Sequence, residues 1–211
     1  MTRTQMTRLP EHASTDRAEL DRLLDGSRVG HFAFVLDEQP VVIPSAIARD
    51  GDTVLAHGST GAGWMRRLAD GRPVCLGVTQ FEGLVVARSA FESSMLYRSA
   101  VVFGCCAVVD DPVEKRSALD LLTSSFLPGR VAEVREPTKK ELAATLVLRL
   151  PLDEWSLKVS ADYPEDPADD VAGPAWAGIV PLHASYGAPA PAPDLSTGID
   201  VPASVRALVD G

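Results

Sequence analysis

Apolar residues recur with two different periods along the chain, and each change of period marks a predicted helix or strand. A repeat of three and four residues predicts an amphipathic helix after Asp16, which has capping-box spacing to Glu19. Gly26 is expected to end this helix in the left-handed conformation. The apolar face of the helix is formed by Leu20, Leu23 and Leu24.

Alternating apolar residues then predict a series of short strands. The Asp50-Gly51 pair is typical of a hairpin turn, and most of the other connections are too short for a parallel crossover. The sheet is therefore expected to be antiparallel. The predicted strands lie near residues 29–36, 41–43, 53–56, 73–79, 84–90, 100–109, 146–150 and 155–159.

Three further helices are predicted between these strands. Gly71 is expected to end the first of them, and Pro128-Gly129 the second. Their apolar or central residues are Trp64, Met65 and Leu68, then Ala118, Leu122 and Phe126, then residues 139–144. The expected fold is mainly β, an antiparallel barrel with a few short peripheral helices.

The chain of 211 residues, 45% of them hydrophobic, is long enough to bury one substantial core. We expect a polar leader over residues 1–14 and a barrel domain over residues 15–183. Residues 184–211 are rich in Pro and Ala, which favours an extended or partly disordered arm. The acidic residues of segment 164–170 are expected to lie at the surface.

Charge and cysteine content narrow the classes of partner. The net charge of −9 disfavours nucleic acid and anionic membranes, and no apolar run is long enough to span a bilayer. Three cysteines, two of them adjacent, fit a reducing cytoplasm and predict neither a disulfide framework nor a metal site. Alternation along an apolar strand would direct Cys105 and Cys106 to opposite faces, and both are expected to be buried, inert thiols and not a redox pair.

A candidate binding site follows the strand at residues 53–56. The sequence His57-Gly58-Ser59 precedes a predicted helix, so backbone N–H groups there could receive an anion. The alternative is that Ser59 or Thr60 only caps the helix. Spacing alone favours capping.

The segment from residue 81 to residue 104 resembles a known family. It contains Gly-Leu-Val-Val-Ala-Arg-Ser at residues 83–89 and Ser-Met-Leu-Tyr-Arg-Ser at residues 94–99. These motifs are similar to the flavin-nucleotide-binding branch of the pyridoxamine phosphate oxidase-like split-barrel proteins, which includes nitroimidazole reductase-like relatives. The resemblance spans residues 16–181 and implies a homodimer, with FMN sites between the subunits.

The resemblance also implies particular site residues. The family places Ser-Arg on the flavin phosphate where this chain has Ala62-Gly63, so a hydroxyl and a cation are missing. His57 matches a histidine beside the cofactor and is the candidate catalytic residue. The implied cofactor-binding residues are Ile43, Ser45, His57, Gly58, Ser59, Gly63, Trp64, Thr79, Arg98 and Ser99.

Several of these residues have simpler structural explanations. Arg98 could belong to an ion-paired barrel rim, and Arg88 could pair with an acid such as Glu92. Trp176 could cover a planar ligand, although closing a hydrophobic barrel is the commoner role of such an aromatic. Lys158 is open between a ligand contact and a solvated strand end.

Three functions are consistent with these residues. The leading hypothesis is an FMN-binding oxidoreductase that takes a small planar anionic ligand between two subunits. The second is a non-redox binding module for haem, deazaflavin or FAD, because the missing clamp leaves room for a larger ligand. His57 or His31 would then supply an axial nitrogen. The third is a dimeric barrel without a cofactor.

Overall fold

The computed structural model describes residues 3–210, so Met1, Thr2 and Gly211 lie outside the described residues. The strands are β1 (Ala13–Ser14), β2 (Val29–Leu36), β3 (Gln39–Asp50), β4 (Thr53–Ser59), β5 (Pro73–Val86), β6 (Ser94–Cys105), β7 (Ala107–Val108), β8 (Thr145–Pro151), β9 (Glu154–Ser160) and β10 (Gly178–Pro181). The helices are α1 (Arg17–Gly26), α2 (Gly63–Ala69), α3 (Pro112–Phe126), α4 (Lys139–Ala144), α5 (Ala168–Val171) and α6 (Ala203–Asp210).

The strands form one antiparallel sheet in the order β1-β9-β6-β5-β2-β3-β4-β8-β7, and β10 pairs with β5. The prediction of a mainly β, antiparallel split barrel with peripheral helices is confirmed. The turn after β3 lies at Asp50-Gly51, where the sequence predicted it, and a second tight turn follows β2. Asp37 and Glu38 both have positive φ, as a two-residue hairpin turn requires, and Gly51 has φ 55°.

Helix α1 begins as predicted and ends differently. The Asp16 carboxylate accepts a hydrogen bond from the Ala18 N–H at 2.9 Å. Glu19 does not complete a capping box, because its carboxylate accepts instead from the Ser14 hydroxyl at 2.6 Å. Gly26 is the last helical residue, and the helix is closed by Ser27 in an extended conformation, so the predicted left-handed glycine is wrong.

The two strands predicted near residues 73–79 and 84–90 are one long strand, β5. A bulge between Phe81 and Gly83 interrupts its pairing with β6 without ending the strand. Gly83 has φ 156°, and a Cβ there would lie 2.5 Å from the Val180 carbonyl oxygen. The glycine is therefore needed where β10 approaches, and the gap between the two predicted strands corresponds to this bulge.

The strand predicted over residues 100–109 is also divided differently. Strand β6 begins at Ser94 and ends at Cys105, and β7 then crosses to pair with β8. Cys106 is buried at this crossing and Cys105 is exposed, so the two thiols differ in environment as alternation predicted, but the expected burial of Cys105 is wrong. Burial raises the pKa of the Cys106 thiol to about 12, which makes it inert.

The barrel has an inner core and a smaller outer core on one part of its surface. Alternate residues of the central strands form the inner core, among them Phe32, Ile47, Leu76 and Val102. Helix α3 packs against the outside of β3, β4 and β8. We call the outer residues beneath it the covered face, and they are Ala48, Leu55, Val109 and Val147, which contact Ala118 and Leu122 of α3.

The acidic segment after β9 is not wholly exposed. Asp166 has a side chain that is 0% exposed, because it accepts hydrogen bonds from the backbone N–H and the guanidinium of Arg88, both at 2.8 Å. Surface charge was therefore the wrong expectation for Asp166, and Glu92 was the wrong partner for Arg88. This contact ties the loop before β10 to the end of β5.

The C-terminal segment contains α6, which the sequence did not predict. Buried Ser204 donates its N–H and hydroxyl to the Glu133 carboxylate at 3.0 Å and 2.6 Å. These hydrogen bonds lower the pKa of Glu133. Across residues 3–210, no helix has the length and apolarity needed to cross a membrane.

Candidate functional site

The outer surface of the barrel beyond α3 carries the candidate site, and we call it the open face. Strand β4 shows where the covered face gives way to it. Val54 and Ala56 lie in the inner core, and Leu55 between them packs under α3. His57 follows Leu55 by two residues, so its side chain emerges on the same outer surface just past the helix.

Pairing across the sheet places Thr79 and Ser99 in the same row of the open face. Thr79 lies opposite Ser99, and Ser99 lies opposite Lys158. Their sequence neighbours Val78 and Ala100 belong to the inner core, so both hydroxyl side chains point outward. Neither hydroxyl makes a hydrogen bond within residues 3–210.

The row continues from Thr79 to His57 through two intervening strands. Val29 pairs with Ala46. Extending the β2–β5 register by two residues aligns Val29 with Thr79, and extending the β3–β4 register by one aligns Ala46 with His57. Residues directly opposite in antiparallel strands share a face. The sheet therefore brings together three predicted site residues, His57, Thr79 and Ser99, along one line.

His57 has the properties of an available ligand. Part of its imidazole is accessible, and the packing around the rest disfavours the charged form, which lowers its pKa below 6.5. Within the described chain no group forms a hydrogen bond or ion pair with it. A neutral, unpaired imidazole can accept a proton or bind a metal ion.

Arg98 is less available than the resemblance implied. Its side chain lies on the inner side of β6, in step with Ala100, and its guanidinium pairs with the Glu82 carboxylate at the bulge. The alternative explanation of an ion-paired rim therefore describes its contacts in the single chain. An anion could bind Arg98 only in competition with Glu82.

Three predicted site residues support the barrel through their inward positions. Ile43 packs against the inner core, and Ser45 shares its side of β3. Gly58 lies on the inner side of β4, where an added Cβ would come within 2.8 Å of Met65 Cγ. Gly58 therefore allows α2 to pack on β4, and the side chains of Ile43 and Ser45 point away from the row on the open face.

The turn between β4 and α2 contradicts the capping explanation that the sequence favoured. Ser59 Oγ accepts from the Gly61 N–H at 3.1 Å, and Thr60 Oγ1 donates to the Ala144 carbonyl at 3.2 Å, so neither side chain caps α2. The N-cap residue is Ala62, which has no side-chain acceptor. Trp64 packs on the inner core.

Gly63 has open space around it. No atom beyond its chain neighbours lies within 4 Å of the position that a Cβ would take, and the residue is exposed. A larger side chain would fit there. The lack of a cationic side chain at this position therefore has no steric cause.

Lys158 and Tyr97 extend the row at its other end. The Lys158 ammonium lies 6.0 Å from the centre of the Tyr97 ring, and no carboxylate pairs with it within residues 3–210. The sequence left Lys158 undecided because its position beside Ser99 depends on pairing between β6 and β9. The row thus runs from a cation through two hydroxyls to an imidazole.

The open face also exposes apolar side chains that a soluble single chain would leave in water. They lie on β2, β3, β5 and β6 and are about half exposed: Val29, Val35, Val42, Phe81 and Met95. Contiguous exposed apolar surface marks an interaction site. The candidate site and the exposed apolar surface therefore lie on the same side of the barrel.

Comparison with known proteins agrees with this fold. A family model described as pyridoxamine 5'-phosphate oxidase matches residues 16–159. The structure of the FAD and haem binding protein from Mycobacterium smegmatis is 49% identical and has a TM-score of 0.90. The match covers 94% of this chain and 97% of that one. Curated proteins gave no match.

Two more distant structures share the architecture. The flavocytochrome Anf3 from Azotobacter vinelandii is 29% identical with a TM-score of 0.91, over 99% of this chain and 97% of the other. A Bacteroides thetaiotaomicron protein described as a 5-nitroimidazole antibiotic resistance protein is 20% identical with a TM-score of 0.60. That match covers 70% of this chain and 86% of the other, and it supports the fold alone.

Proposed function

The chain belongs to the pyridoxamine 5'-phosphate oxidase family, and from that membership we propose that it is a homodimeric redox protein that binds FAD and haem on its open face. The observation that carries the proposal is the 49% identity, over nearly the whole of both chains, to a protein described as binding FAD and haem. FAD and haem were two of the alternatives to FMN. The likeness to a flavocytochrome points the same way.

The donor set of the open face fits haem. His57 is the histidine of the row whose pKa is lowered, so it is neutral and able to ligate iron at pH 7. His31 also points to the outer surface, but it lies opposite Pro44 and Gly77, without a polar neighbour in its row. We therefore propose that His57 would be the residue that binds the haem iron.

The same row fits a flavin. The hydroxyls of Thr79 and Ser99 have no partner within residues 3–210, and Lys158 supplies an unpaired cation beside them. The open space at Gly63 suits FAD better than FMN, since a terminal phosphate would find no charged side chain there. The open space at Gly63 would accommodate the additional nucleotide of FAD.

Two copies complete the site. The exposed apolar side chains of the open face need a cover, and a symmetric pair supplies the same surface from each copy. A second chain would also exclude water from the row. The three free cysteines suit a reducing compartment, and we propose the cytoplasm.

Bound FAD and haem would supply hydride and one-electron chemistry. The chain's own part is to hold the flavin by hydroxyl hydrogen bonds at Thr79 and Ser99 and to offer the His57 imidazole. Lys158 would attract the anionic portion of the ligand. Enclosure between two barrels would protect the reacting groups from solvent.

Reconstitution tests the proposal directly. Purified apoprotein is titrated separately with FAD, FMN and haem, followed by flavin fluorescence and by the Soret band. FAD should bind more tightly than FMN, and haem should give a histidine-ligated spectrum. His57→Ala should lose that spectrum and keep FAD, while His31→Ala serves as the matched control. Failure of wild type to bind either group would overturn the proposal.

A further inference from the structure

A hollow in the open face lies at the start of β5, apart from the row described above, and we call it the β5 hollow. Its floor crosses three strands, because Ala33 pairs with Cys75 and Cys75 pairs with Phe103. The exposed side chains of Val35 and Val42 stand at its edge. Its volume is about 350 Å³, and the small side chain of Ala33 leaves room above the floor for an aromatic ring.

Cationic side chains surround the β5 hollow. The guanidinium of Arg3 lies 4.9 Å from the centre of the Phe103 ring, and Arg67 donates a hydrogen bond to the Val35 carbonyl at 3.2 Å. Arg72 directly precedes the first residue of β5, is exposed, and forms no ion pair within residues 3–210. In a chain of net charge −9, this local excess of positive charge favours an apolar group that carries a carboxylate beside it.

The loop between β5 and β6 presents a group of that kind. Phe91 at its tip is 91% exposed, the highest value among the large apolar side chains of residues 3–210. It exceeds Trp176, whose own exposure of 65% shows that the barrel-closing explanation of that residue is wrong. Glu92 follows Phe91 and forms no ion pair with any of the described residues. The tip therefore combines an aromatic ring with a free carboxylate.

Hydrogen bonds within the loop hold this tip in one conformation. The Ser93 hydroxyl donates to the Ser89 carbonyl at 2.9 Å, and the Ser89 hydroxyl accepts from the Glu92 N–H at 3.1 Å. At the base of the loop, fully buried Asp166 accepts two hydrogen bonds from Arg88. A preorganised tip loses little conformational entropy when it binds.

We propose that Phe91 of each subunit inserts into the β5 hollow of the other, with Glu92 facing the cationic edge of that hollow. This inference rests on the proposed homodimer and names its contact. An aromatic ring in a fitting pocket is the kind of contact that contributes most to the affinity of an interface. The opposite charges beside ring and hollow would set the register of the two copies.

The length of β5 explains why the contact must join two chains. The strand has 14 residues, about 45 Å when extended, and it separates the hollow at its start from the loop at its end. In a pair related by a two-fold axis, two copies of β5 that cross near their middle place the end of each over the start of the other. Phe81, Leu84 and Met95 lie between the two features and are about half exposed, so they supply contact along this crossing.

Light scattering over a concentration series tests the contribution of the ring. Phe91→Ala should raise the dissociation constant of the dimer about 100-fold, because the pair loses two buried rings that each contribute about tenfold. Phe91→Leu should retain most of the affinity. Val113→Ala shortens another strongly exposed side chain, on the covered side, and is the matched control. Circular dichroism should show the wild-type fold in all three variants.

Charge reversal tests the cationic edge of the hollow. Glu92→Arg should weaken the dimer at least about tenfold at low salt, and the loss should shrink as salt screens the repulsion. Asp110→Arg makes the same change of charge at an exposed position beside α3 and should leave the dimer intact. A Glu92→Arg dimer as tight as wild type would contradict the proposal.

Cross-linking identifies the neighbour of residue 91 directly. Phe91→Cys combined with Cys105→Ser is treated with a short bismaleimide, at a protein concentration where this variant is dimeric. Peptide mass mapping should find residue 91 of one copy joined to Cys75 of the other, and adding Cys75→Ser should remove this product. Buried Cys106 should not react. A dimer in which residue 91 is linked elsewhere, or not linked, would overturn the inference.

These outcomes separate the two proposals. If the wild-type chain stays monomeric at every concentration, the proposed homodimer fails and this inference fails with it. If the wild type is a dimer that Phe91→Ala does not weaken, only the insertion of Phe91 is overturned, and the proposed cofactor binding stands.

Discussion

The covered face and the open face share strands β3 and β4 and differ in what their residues contact. On β4, Leu55 is 0% exposed beneath α3, and His57, two residues later on the same side, is accessible. On β3, Ala48 is buried while Ala46 is only partly so. The sheet is continuous, so the difference is made by where α3 stops.

The two faces differ in what covers their side chains. The covered face is apolar and closed by its own chain. The open face mixes half-exposed valines with hydroxyls, a cation and an imidazole, and none of residues 3–210 packs over them as α3 does over Leu55. We therefore expect folding to depend on the first face, and the proposed binding and association to depend on the second.

The largest expected effect is on the covered face. Leu55→Ala should lower the free energy of unfolding by about 2–5 kcal/mol, because it leaves a cavity between β4 and α3. His57→Ala, on the same side of the same strand, should stay within roughly 0.5 kcal/mol of the wild-type apoprotein. Urea unfolding of both variants measures this, and equal losses would remove the distinction between the faces.

A substitution on the open face should instead weaken the association of the two subunits. Val42 is 58% exposed on the outside of β3, so Val42→Asp should fold normally and weaken the proposed dimer at least tenfold. The cost arises because each copy would bury an unpaired carboxylate. Light scattering over a concentration series reports the mass.

Val113→Asp is the matched control for association. Val113 is 74% exposed, but it lies in the first turn of α3, on the covered side. An acidic residue is tolerated there by the helix dipole. If Val113→Asp dissociated and Val42→Asp stayed dimeric, the subunit contact would lie on the covered side, which contradicts the proposal.

The flavin preference of the open face can be altered at one residue. Gly63→Arg should tighten FMN binding roughly 10- to 100-fold, because a charged hydrogen bond contributes about 1.5–3 kcal/mol. Open space at Gly63 means that stability should not change. Calorimetric titration with FMN and FAD measures the effect, and unchanged FMN affinity would show that the phosphate lies elsewhere.

The smallest expected effect concerns the contact between Glu133 and Ser204 of α6. Hydrogen bonds from Ser204 lower the pKa of Glu133 below 4.5, so the ionised carboxylate favours the docked state of α6. This contribution is present above pH 4.5 and is lost as the pH falls through the lowered folded-state pKa. Hydrogen exchange of α6 should therefore accelerate in acid, and Glu133→Gln should remove that pH dependence.

Local patterns were sufficient to predict most of the elements. Asp16 and the three leucines of α1, the turn at Asp50-Gly51 and the termination of α3 near Gly129 depend on neighbours in sequence. Strand β5 was predicted as two strands, because a bulge and a turn both interrupt the alternation of apolar residues. The sequence distinguishes them only through the approach of Val180, nearly a hundred residues away.

Long-range pairing explains what the sequence could not provide. Asp166 is buried because Arg88 lies beside it, and Ser204 is buried because of Glu133. The row of His57, Thr79 and Ser99 depends on the registers of five strands. Residue type identified these three as candidates, but only the sheet could show that they share a line and that Arg98 is already paired.

The most direct test of the account is native mass spectrometry of the protein purified from cells. The expected mass is that of two chains carrying both FAD and haem. The His57→Ala variant should retain the FAD and lack the haem. A folded single chain, or a dimer free of both groups after reconstitution, would contradict the claim that the open face is a shared cofactor site.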